Sequence, residues 1–496
     1  MHWGGVAVHG VAGRVLSRPK DNRIENSPPG RSDRGQRELG ETMSRTLWRL
    51  MCSACVVVGL CGGVSLSAAD LDPARQWNQW RGPLSTGVAP YGDPPIEWSE
   101  DKNVRWASRL PGTGHSSPVV WGQLVFVTAA VPYGEKVTAK PDADPGAHDN
   151  LPVTQPHRYL GLAFDRRTGD LLWQKTLAEG LPHEGGHHTG SLASHSPVTD
   201  GKRLFAFFGS RGLYCLGFDG KLLWKVRMGK MSTKHNHGEG ASPALHDKTL
   251  VVNWDHQGQS KVVAFDTHTG KPKWSSNRDE VTSWSSPIVI EHQKRAIAVI
   301  SGTKFLRGYD LETGKVLWQC AGLSNNIVAT PVYEAGMVFA GSSYDTRIMM
   351  GVKLDGASGD LTGSEHVAWK TRQRTPYVPS PLLYKGGLYF LRHYQGILTR
   401  LESRTGNEVT GPFRLGGVTD IYASPVAASN RIYITDRQGA TLVISGDATP
   451  KFLARNVLND SFSASAAIVG RELFLRGTRK LYCIAEPAKP KKKSGD

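Results

Sequence analysis

Short runs of apolar and aromatic residues alternate along most of the chain with polar turns rich in glycine, aspartate and threonine. Runs at 124–127, 204–208 and 388–391 are typical; they read LVFV, LFAFF and LYFL. Their length and their aromatic and β-branched content are those of β-strands that bury one or both faces. The pattern therefore predicts a chain built from many short strands.

A repeating unit organises these strands. A Ser-Pro, Thr-Pro or Ser-Ala pair recurs at intervals of 41 to 50 residues after a longer first interval of 79. Its first residues, called anchors below, are Ser117, Ser196, Ser242, Ser286, Thr330, Ser380, Ser424 and Ser465. The shorter intervals suit units of four short strands. The first interval contains a Pro-, Asp- and Lys-rich stretch at 131–157, which predicts an inserted loop.

A second signature lies between the anchors. It is an Asp-x-x-Thr-Gly turn followed, four residues after the glycine, by a tryptophan. Its copies begin at Asp165, Asp266 and Asp310, with a shortened copy at Asp219. The aspartate and threonine can hydrogen-bond turn backbone and the glycine can adopt positive φ, so the signature predicts a hairpin turn. The tryptophan then lies on the next strand, where its large face suits packing between sheets.

Four-stranded sheets repeated in this way predict an all-β fold, an eight-bladed β-propeller of antiparallel blades. The last unit ends near Ile484 without a Trp-bearing strand, whereas 103–108 resembles one. We therefore expect this N-terminal strand to complete the eighth blade and close the ring.

The two ends of the chain differ from the repeats. Arg45 and Arg49 precede an apolar stretch at 52–66, and Ser67-Ala68-Ala69 offers small residues for cleavage. This is typical of a secretory signal peptide. We expect a non-native or disordered leader at 1–42, a signal peptide at 43–69, an N-terminal extension at 70–102, the propeller at 103–487 and a disordered basic tail at 488–496. The alternative is an uncleaved N-terminal anchor.

The predicted location is secreted or periplasmic, with no integral membrane span after cleavage. The net charge of +16 initially suggests nucleic-acid binding. However, +4 of it falls in 1–69 and +3 in 488–496, so only +9 remains for 70–487. Together with the predicted signal peptide, this excludes nucleic acid as the expected partner. Of six cysteines, Cys215, Cys320 and Cys483 lie in the repeats, and scattered cysteines predict buried free thiols rather than a disulfide framework.

The repeat resembles the pyrroloquinoline-quinone-type (PQQ-like) propeller family, whose turn signature is the Asp-x-x-Thr-Gly-x-x-x-Trp motif. The resemblance covers about residues 77–486 and extends to secreted, largely uncharacterised bacterial propellers. It implies the propeller fold. It does not imply one activity, because the same repeat serves quinone-dependent alcohol dehydrogenases and a non-catalytic subunit of the outer-membrane protein assembly machinery.

The resemblance also provides a test for the quinone. Quinoprotein dehydrogenases carry adjacent cysteines over the cofactor, calcium ligands and, in some members, a C-x-x-C-H haem motif. The present sequence has no adjacent cysteines and no C-x-x-C-H motif. PQQ with calcium is therefore not expected, and no cofactor is assigned.

Histidines cluster just before two anchors, in the loops that lead into the innermost strands of a propeller and line one channel mouth. Imidazole and carboxylate groups together suit zinc or another transition metal. The candidate ligands are His187, His188, His195, His235, His237 and Glu239. The alternative is that these side chains only form hydrogen bonds in a wet channel mouth.

The stretch His183-Glu184-Gly-Gly-His187 also matches the H-E-x-x-H motif of metalloproteases. That motif requires a helix, which places both histidines on one face. Pro182 before it and two glycines within it disfavour a helix. We predict a loop here and no protease.

Other residues before the anchors are aromatic, amide or acidic. Such groups suit a carbohydrate, a peptide or a small polar ligand, and equally suit ordinary loop packing. The candidate ligand-binding residues are Trp284, Asn326, Tyr377, Asp420 and Tyr422. Glu239 and Asp255 are candidate acid–base carboxylates that the sequence alone does not pair.

The leading functional hypothesis is a secreted, non-enzymatic propeller that acts as a scaffold for a protein or polymer partner, including a polysaccharide. The sequence contains no complete catalytic set, so an enzyme is not the first expectation. The alternative is an enzyme that uses the channel mouth, either a degenerate quinoprotein oxidoreductase or a metal-dependent catalyst.

Overall fold

A computed structural model of the chain describes residues 71–139 and 141–487. These residues form eight four-stranded antiparallel sheets, which are the blades of a propeller, so the predicted all-β fold is confirmed. The predicted leader at 1–42, signal peptide at 43–69 and tail at 488–496 lie outside the described residues. Within the described ranges, no helix has the length and apolar character needed to cross a bilayer.

The strands are given from the innermost to the outermost. Blades 1 to 4 are Val119–Trp121, Leu124–Pro132, His157–Asp165, Leu171–Gly180; Val198–Thr199, Arg203–Phe207, Leu213–Gly217, Leu222–Val226; Ala244–His246, Thr249–Trp254, Lys261–Asp266, Pro272–Asn277; and Ile288–His292, Arg295–Ser301, Phe305–Asp310, Val316–Ala321. Blades 5 to 8 are Val332–Glu334, Met337–Ser343, Arg347–Lys353, Val367–Thr371; Leu382–Tyr384, Gly387–Leu391, Ile397–Glu402, Glu408–Arg414; Val426–Ala428, Arg431–Thr435, Ala440–Ser445, Phe452–Val457; and Ala467–Val469, Glu472–Arg476, Lys480–Ile484, Val104–Arg109.

Small elements decorate this ring. Gly359–Asp360 pairs in parallel with the outer strand of blade 4, and Asn150–Leu151 pairs with Gly186–His187. Short 3₁₀ helices occur in the described ranges at Pro73–Arg75, Gly209–Arg211 and Lys234–Asn236. The segment with the H-E-x-x-H pattern contains no helix, as predicted.

The N-terminal strand closes the ring. Val104–Arg109 pairs antiparallel with Lys480–Ile484, so the outermost strand of blade 8 comes from the start of the propeller sequence. Trp106 on this strand is buried and its indole N–H donates to the carbonyl of Arg166 in blade 1. The predicted closure by an N-terminal strand is confirmed.

The anchors form a ring of hydrogen bonds around the channel. At seven of the eight junctions in the described structure, the backbone N–H of one anchor donates to the hydroxyl of the next, over 2.8 to 3.1 Å. The junction between blades 8 and 1 differs, because Ser117 Oγ has no partner among the described residues. There the buried Arg476 of blade 8 donates instead to the carbonyl of Ser116 over 3.1 Å.

This ring allows a matched test. Ser286→Ala leaves the buried N–H of Ser242 without its acceptor, and we expect a loss of about 1–2 kcal/mol in the free energy of unfolding. Ser117→Ala removes a buried hydroxyl that has no partner in the described structure, so its loss should be smaller. Urea denaturation of both variants measures the difference. Equal losses would contradict a contribution from the hydroxyl ring.

Tryptophans join neighbouring blades, as the turn signature predicts. Indole N–H groups on outer strands donate to turn carbonyls of the next blade over 2.7 to 3.0 Å; the tryptophans are Trp106, Trp173, Trp224, Trp274 and Trp369. Each indole lies on the glycine of that turn. At Gly314, with φ of +73°, an added Cβ would lie 2.5 Å from the Trp274 ring. Glycine is therefore needed both for the turn and for the close indole contact.

Blade 5 departs from the pattern. Its third and fourth strands are joined by an excursion at 354–366 that carries Gly359–Asp360, instead of the Asp-x-x-Thr-Gly turn. Trp318 of blade 4, which would dock on that turn, is buried with no hydrogen-bond partner for its indole nitrogen in the described structure.

The N-terminal extension crosses the channel. Trp77 bonds to Val120 of blade 1, the carbonyl of Asn78 accepts from the N–H of Thr199 in blade 2, and Ala89 bonds to Ala427 of blade 7. Between them, the buried Arg81 donates to the carbonyls of Pro425 (2.7 Å) and, in blade 6, Pro381 (2.6 Å). We call the segment 77–89 the plug. One cavity lies on each side of it, since Trp80 lines the first and neighbouring plug residues line the second.

Candidate functional site

The candidate site is a cavity of about 590 Å³ at the channel end where the inner strands begin. Antiparallel order brings two kinds of loop to this end. One kind leads into the innermost strand, and the other joins the second strand to the third. The plug forms the floor with Trp80, and anchors of several blades contribute to the wall.

Most of the predicted ligand-binding residues meet here. Trp284, Asn326, Tyr377 and Tyr422 line the cavity, and Asn326 Nδ2 donates to the Tyr377 hydroxyl over 2.8 Å. Asp420 is not a lining residue; its carboxylate lies 3.3 Å from Arg437 Nη1.

Tyrosines form one wall of the cavity, which we call the tyrosine wall: Tyr344, Tyr377, Tyr394 and Tyr422. Consecutive ring centroids are 6.0, 5.7 and 4.6 Å apart, and the last pair is stacked at 7°. Burial raises the pKa of Tyr394, so its hydroxyl stays protonated at neutral pH. This wall combines broad apolar faces with polar hydroxyls.

Half of this wall was missed from the sequence. Tyr344 and Tyr394, with the nearby His393, lie in loops between the second and third strands, whereas the predicted ligand-binding residues all lie in loops before the anchors. The alternation of antiparallel strands predicts that both kinds of loop reach the same mouth. Tyrosines directly after the second strands of blades 5 and 6 were therefore a usable signal.

Histidines line the opposite side, which we call the histidine wall: His148, His187, His235 and His237. Contacting ring centroids are 4.8 to 5.4 Å apart. Burial, assisted by the neighbouring histidines, lowers the pKa of His237 to about 4. His237 is therefore neutral at pH 7. His148 was missed because it lies in the inserted loop of blade 1, far from any anchor.

The remaining predicted histidines differ in position. His188 is exposed, lies outside the cavity lining, and its ring is 4.4 Å from that of His187. His195 lines the cavity but is buried, and burial lowers its pKa to about 3. Neither ring nitrogen of His195 has a hydrogen-bond partner in the described structure. His115, just before the first anchor, keeps partial solvent exposure, but burial of its ring and the nearby Arg476 lower its pKa to about 3.

A separate cluster joins Glu239 to two residues outside the predicted metal set. His183, Glu184 and Glu239 each offer one ligand atom, and these atoms lie within 4.8 Å of one another. It is the one group of this kind among the described residues. The structure thus separates Glu239 from the histidine wall and places it beside the H-E dipeptide of the sequence motif. Burial, assisted by Glu184, raises the pKa of Glu239 to about 7.

The other candidate carboxylate, Asp255, does not face the cavity. Its side chain is completely buried and accepts hydrogen bonds from Arg278 Nε (2.8 Å) and Nη2 (3.1 Å). Arg278 also donates to the hydroxyl of Tyr309 in blade 4 over 2.7 Å. Asp255 is therefore part of a structural ion pair within blade 3, which the hydrogen bond from Arg278 to Tyr309 links to blade 4.

Comparisons with known proteins place this architecture. A family model described as outer membrane protein assembly factor BamB matches residues 160–411 and 282–484. A polyvinylalcohol dehydrogenase of a Pseudomonas species is 25% identical over 266 residues, which is 41% of this chain and 41% of that protein. The chain thus spans less than half the length of this relative.

Two solved structures are also similar. Quinohemoprotein alcohol dehydrogenase from Comamonas testosteroni aligns with a TM-score of 0.54 at 10% identity, covering 86% of this chain and 83% of that one. BamB from Moraxella catarrhalis aligns with a TM-score of 0.38 at 15% identity, covering 77% and 99%. At 10% identity, the likeness to the alcohol dehydrogenase shows a shared fold and nothing about activity.

The described residues do not fit a quinone with calcium. Cys215, Cys320 and Cys483 are buried free thiols in three different blades, and burial raises the pKa of Cys215 to about 12. Calcium takes oxygen ligands, whereas the convergent cluster at the mouth contains the imidazole of His183.

Proposed function

The chain belongs to the PQQ-like propeller family whose model is described as outer membrane protein assembly factor BamB, and from this premise we propose that it is a non-catalytic binding protein. Its ligand is a polymer rich in hydroxyl groups, a polysaccharide, held at the mouth of the channel. The main structural support for this ligand is the tyrosine wall, which lines the cavity above the plug together with imidazole and amide groups.

The chemistry of the two walls supports this ligand class. Aromatic rings present apolar faces on which the C–H faces of a sugar can stack, while their hydroxyls remain available for hydrogen bonds. Asn326 and the histidine wall add donors and acceptors that can orient such a ligand. Because the plug forms the floor of the cavity, we infer that the chain end or a protruding residue of the polymer enters from the open side.

We place this activity outside the cytoplasm, in the periplasm or the extracellular medium, because the sequence predicts a signal peptide at 43–69. The alternative use of the same mouth as an enzyme site receives less support. Asp255 is committed to an ion pair, and the described residues do not fit the quinone set.

The tyrosine wall provides the test. Tyr394→Ala removes a ring that is stacked on Tyr422 and packs at a tilt against Tyr377, and we expect roughly tenfold weaker polysaccharide binding. Binding is measured by affinity electrophoresis, with one soluble polysaccharide such as xylan, a β-glucan, pectin or alginate in each gel. The control is Tyr91→Ala, because Tyr91 is exposed on the N-terminal extension away from the cavity.

The expected result is retardation of the wild type in at least one gel, retained by Tyr91→Ala and reduced in Tyr394→Ala. If the wild type migrates normally in every gel, or both variants lose retardation equally, the polysaccharide proposal is wrong. If no polysaccharide retards the protein and cross-linking recovers a protein partner, the chain is instead a scaffold that binds a protein, the role that the family description suggests.

A further inference from the structure

His183, Glu184 and Glu239 form a group of metal-binding type that is separate from the tyrosine wall. They come from the loops that lead into blades 2 and 3, and all three line the cavity. One potential ligand atom from each lies within 4.8 Å of the other two. In a metal complex each of these atoms would lie about 2 Å from the ion, and so closer to the other two than it does here. Small side-chain rotations can bring the three atoms to that separation.

Glu239 is held in place from behind. Its carboxylate accepts from the backbone N–H of Ser210 over 2.7 Å and from the hydroxyl of Ser210. That hydroxyl in turn accepts from the N–H of Met231 over 2.7 Å. Gly209 leaves room for this arrangement, since a Cβ there would lie 1.5 Å from Glu239 Oε2.

The other two groups are anchored in the same way. Glu184 accepts from the hydroxyl of Thr233 over 2.6 Å and from the side-chain amide of Asn236 over 3.2 Å. His183 Nε2 lies 2.6 Å from the carbonyl of Met231. Fixed hydrogen-bond partners behind ligand side chains are typical of metal sites, where they orient the ligands.

The described part of the protein places no lysine or arginine side chain against the carboxylates of Glu184 and Glu239. Within the described ranges, neither carboxylate has a lysine or arginine at salt-bridge distance, and His183 Nε2 lies 3.8 Å from Glu239 Oε1. Arg211 is near, but its Nη2 donates to the carbonyl of Leu181. The side chains of His183 and Glu239 are only 22% and 12% exposed, so water compensates this charge weakly.

We propose that His183, Glu184 and Glu239 bind one divalent transition metal ion, with its open coordination position towards the cavity. One imidazole and two carboxylates suit Zn²⁺, Co²⁺ or Mn²⁺, since calcium prefers oxygen alone and Cu(I) prefers sulfur. The proposal does not depend on the polysaccharide, because the ion is held by protein groups. A bound ion would present a hydroxyl-binding position beside the tyrosine wall.

The test uses metal alone on the purified chain without a polyhistidine tag. After chelator treatment and removal of the chelator, the protein is titrated with Zn²⁺ against a chromophoric competitor, and with Co²⁺ by visible absorption. We expect about one equivalent to bind, with Co²⁺ bands that report nitrogen and oxygen ligands. Glu239→Gln should weaken Zn²⁺ binding by about 100-fold, and Ser210→Ala by about tenfold.

The controls separate this cluster from the histidine wall. His188→Ala alters an exposed ring, and His237→Ala alters the histidine wall, so both should keep wild-type affinity. Circular dichroism confirms that each variant is folded; if Glu239→Gln is not, His183→Asn replaces it. Binding below about 0.1 equivalent, unchanged affinity in the folded cluster variants, or loss confined to His237→Ala would overturn the proposal. None of these results bears on polysaccharide retardation, so the two proposals fail independently.

Discussion

Acidification from about pH 7.5 to about pH 5 is expected to lower the free energy of unfolding by about 4 kcal/mol through His115 and His195 alone. Burial lowers the pKa of each ring to about 3 in the folded state, whereas an unfolded histidine titrates near 6.5. Between these pH values the unfolded chain therefore binds protons at the two histidines, whereas the native chain does not. The stabilisation from these two neutral rings is fully present above about pH 6.5 and is lost as the pH falls towards 3.

A variant isolates this effect from the other titrating groups. His195→Asn removes one of the two rings, so its loss of stability over the same pH interval should be about 2 kcal/mol smaller than that of the wild type. His188→Asn, which alters an exposed histidine, should follow the wild type. Urea denaturation at both pH values gives the comparison. A His195→Asn variant with the wild-type dependence on pH would show that this ring is not held neutral.

Asp255→Ala is expected to cost about 3–5 kcal/mol, because it leaves the guanidinium of Arg278 buried without its carboxylate. Both side chains are fully buried, and the pair is bidentate at 2.8 and 3.1 Å. Water cannot replace the lost partner. The remaining hydrogen bond from Arg278 to Tyr309 preserves the geometry but not the charge balance.

A double variant distinguishes an unpaired charge from lost packing. Asp255→Ala combined with Arg278→Met removes both charges, and it should be more stable than Asp255→Ala alone. Thermal and urea unfolding of the two variants and of Arg278→Met measure the coupling. If the double variant is as unstable as the sum of the single ones, the two side chains stabilise the fold independently and the ion-pair explanation is wrong.

The architecture could be predicted from sequence because its signals are local and repeated. Each anchor and each Asp-x-x-Thr-Gly turn is recognised within a few residues, and the eight anchors determine the number of blades. The closing strand was also predictable, because the sequence around Trp106 resembles the sequences around the other outer-strand tryptophans. Where one signature is absent, at 354–366 in blade 5, the anchor at Thr330 still identifies the blade.

The composition of the mouth was only partly predictable. The loops before the anchors gave Trp284, Asn326, Tyr377 and Tyr422, since their position relative to the repeat is constant. Contacts between distant loops leave no such trace: His148 reaches the histidine wall from an insertion that no repeat positions. The plug was missed for the same reason, because a single crossing of the channel has no period.

The grouping of Glu239 shows a further limit. The sequence places it two residues after His237, and proximity along the chain suggested a common site. Its carboxylate instead turns towards Ser210, which lies in a loop of blade 2. Backbone direction at a tight loop decides which neighbour a side chain meets, and sequence spacing does not specify it.

The strand that closes the ring also sets an order of folding. Val104–Arg109 is synthesised before any other strand of the propeller, yet its partner Lys480–Ile484 is made last. The first strand therefore stays unpaired until the sequence of the other seven blades has been synthesised. Contacts this distant in sequence form slowly, and an unpaired strand edge invites wrong associations in the meantime. A chain arrested before Lys480 leaves blade 8 incomplete, so the ring is completed only after the last strand of blade 8 has been synthesised.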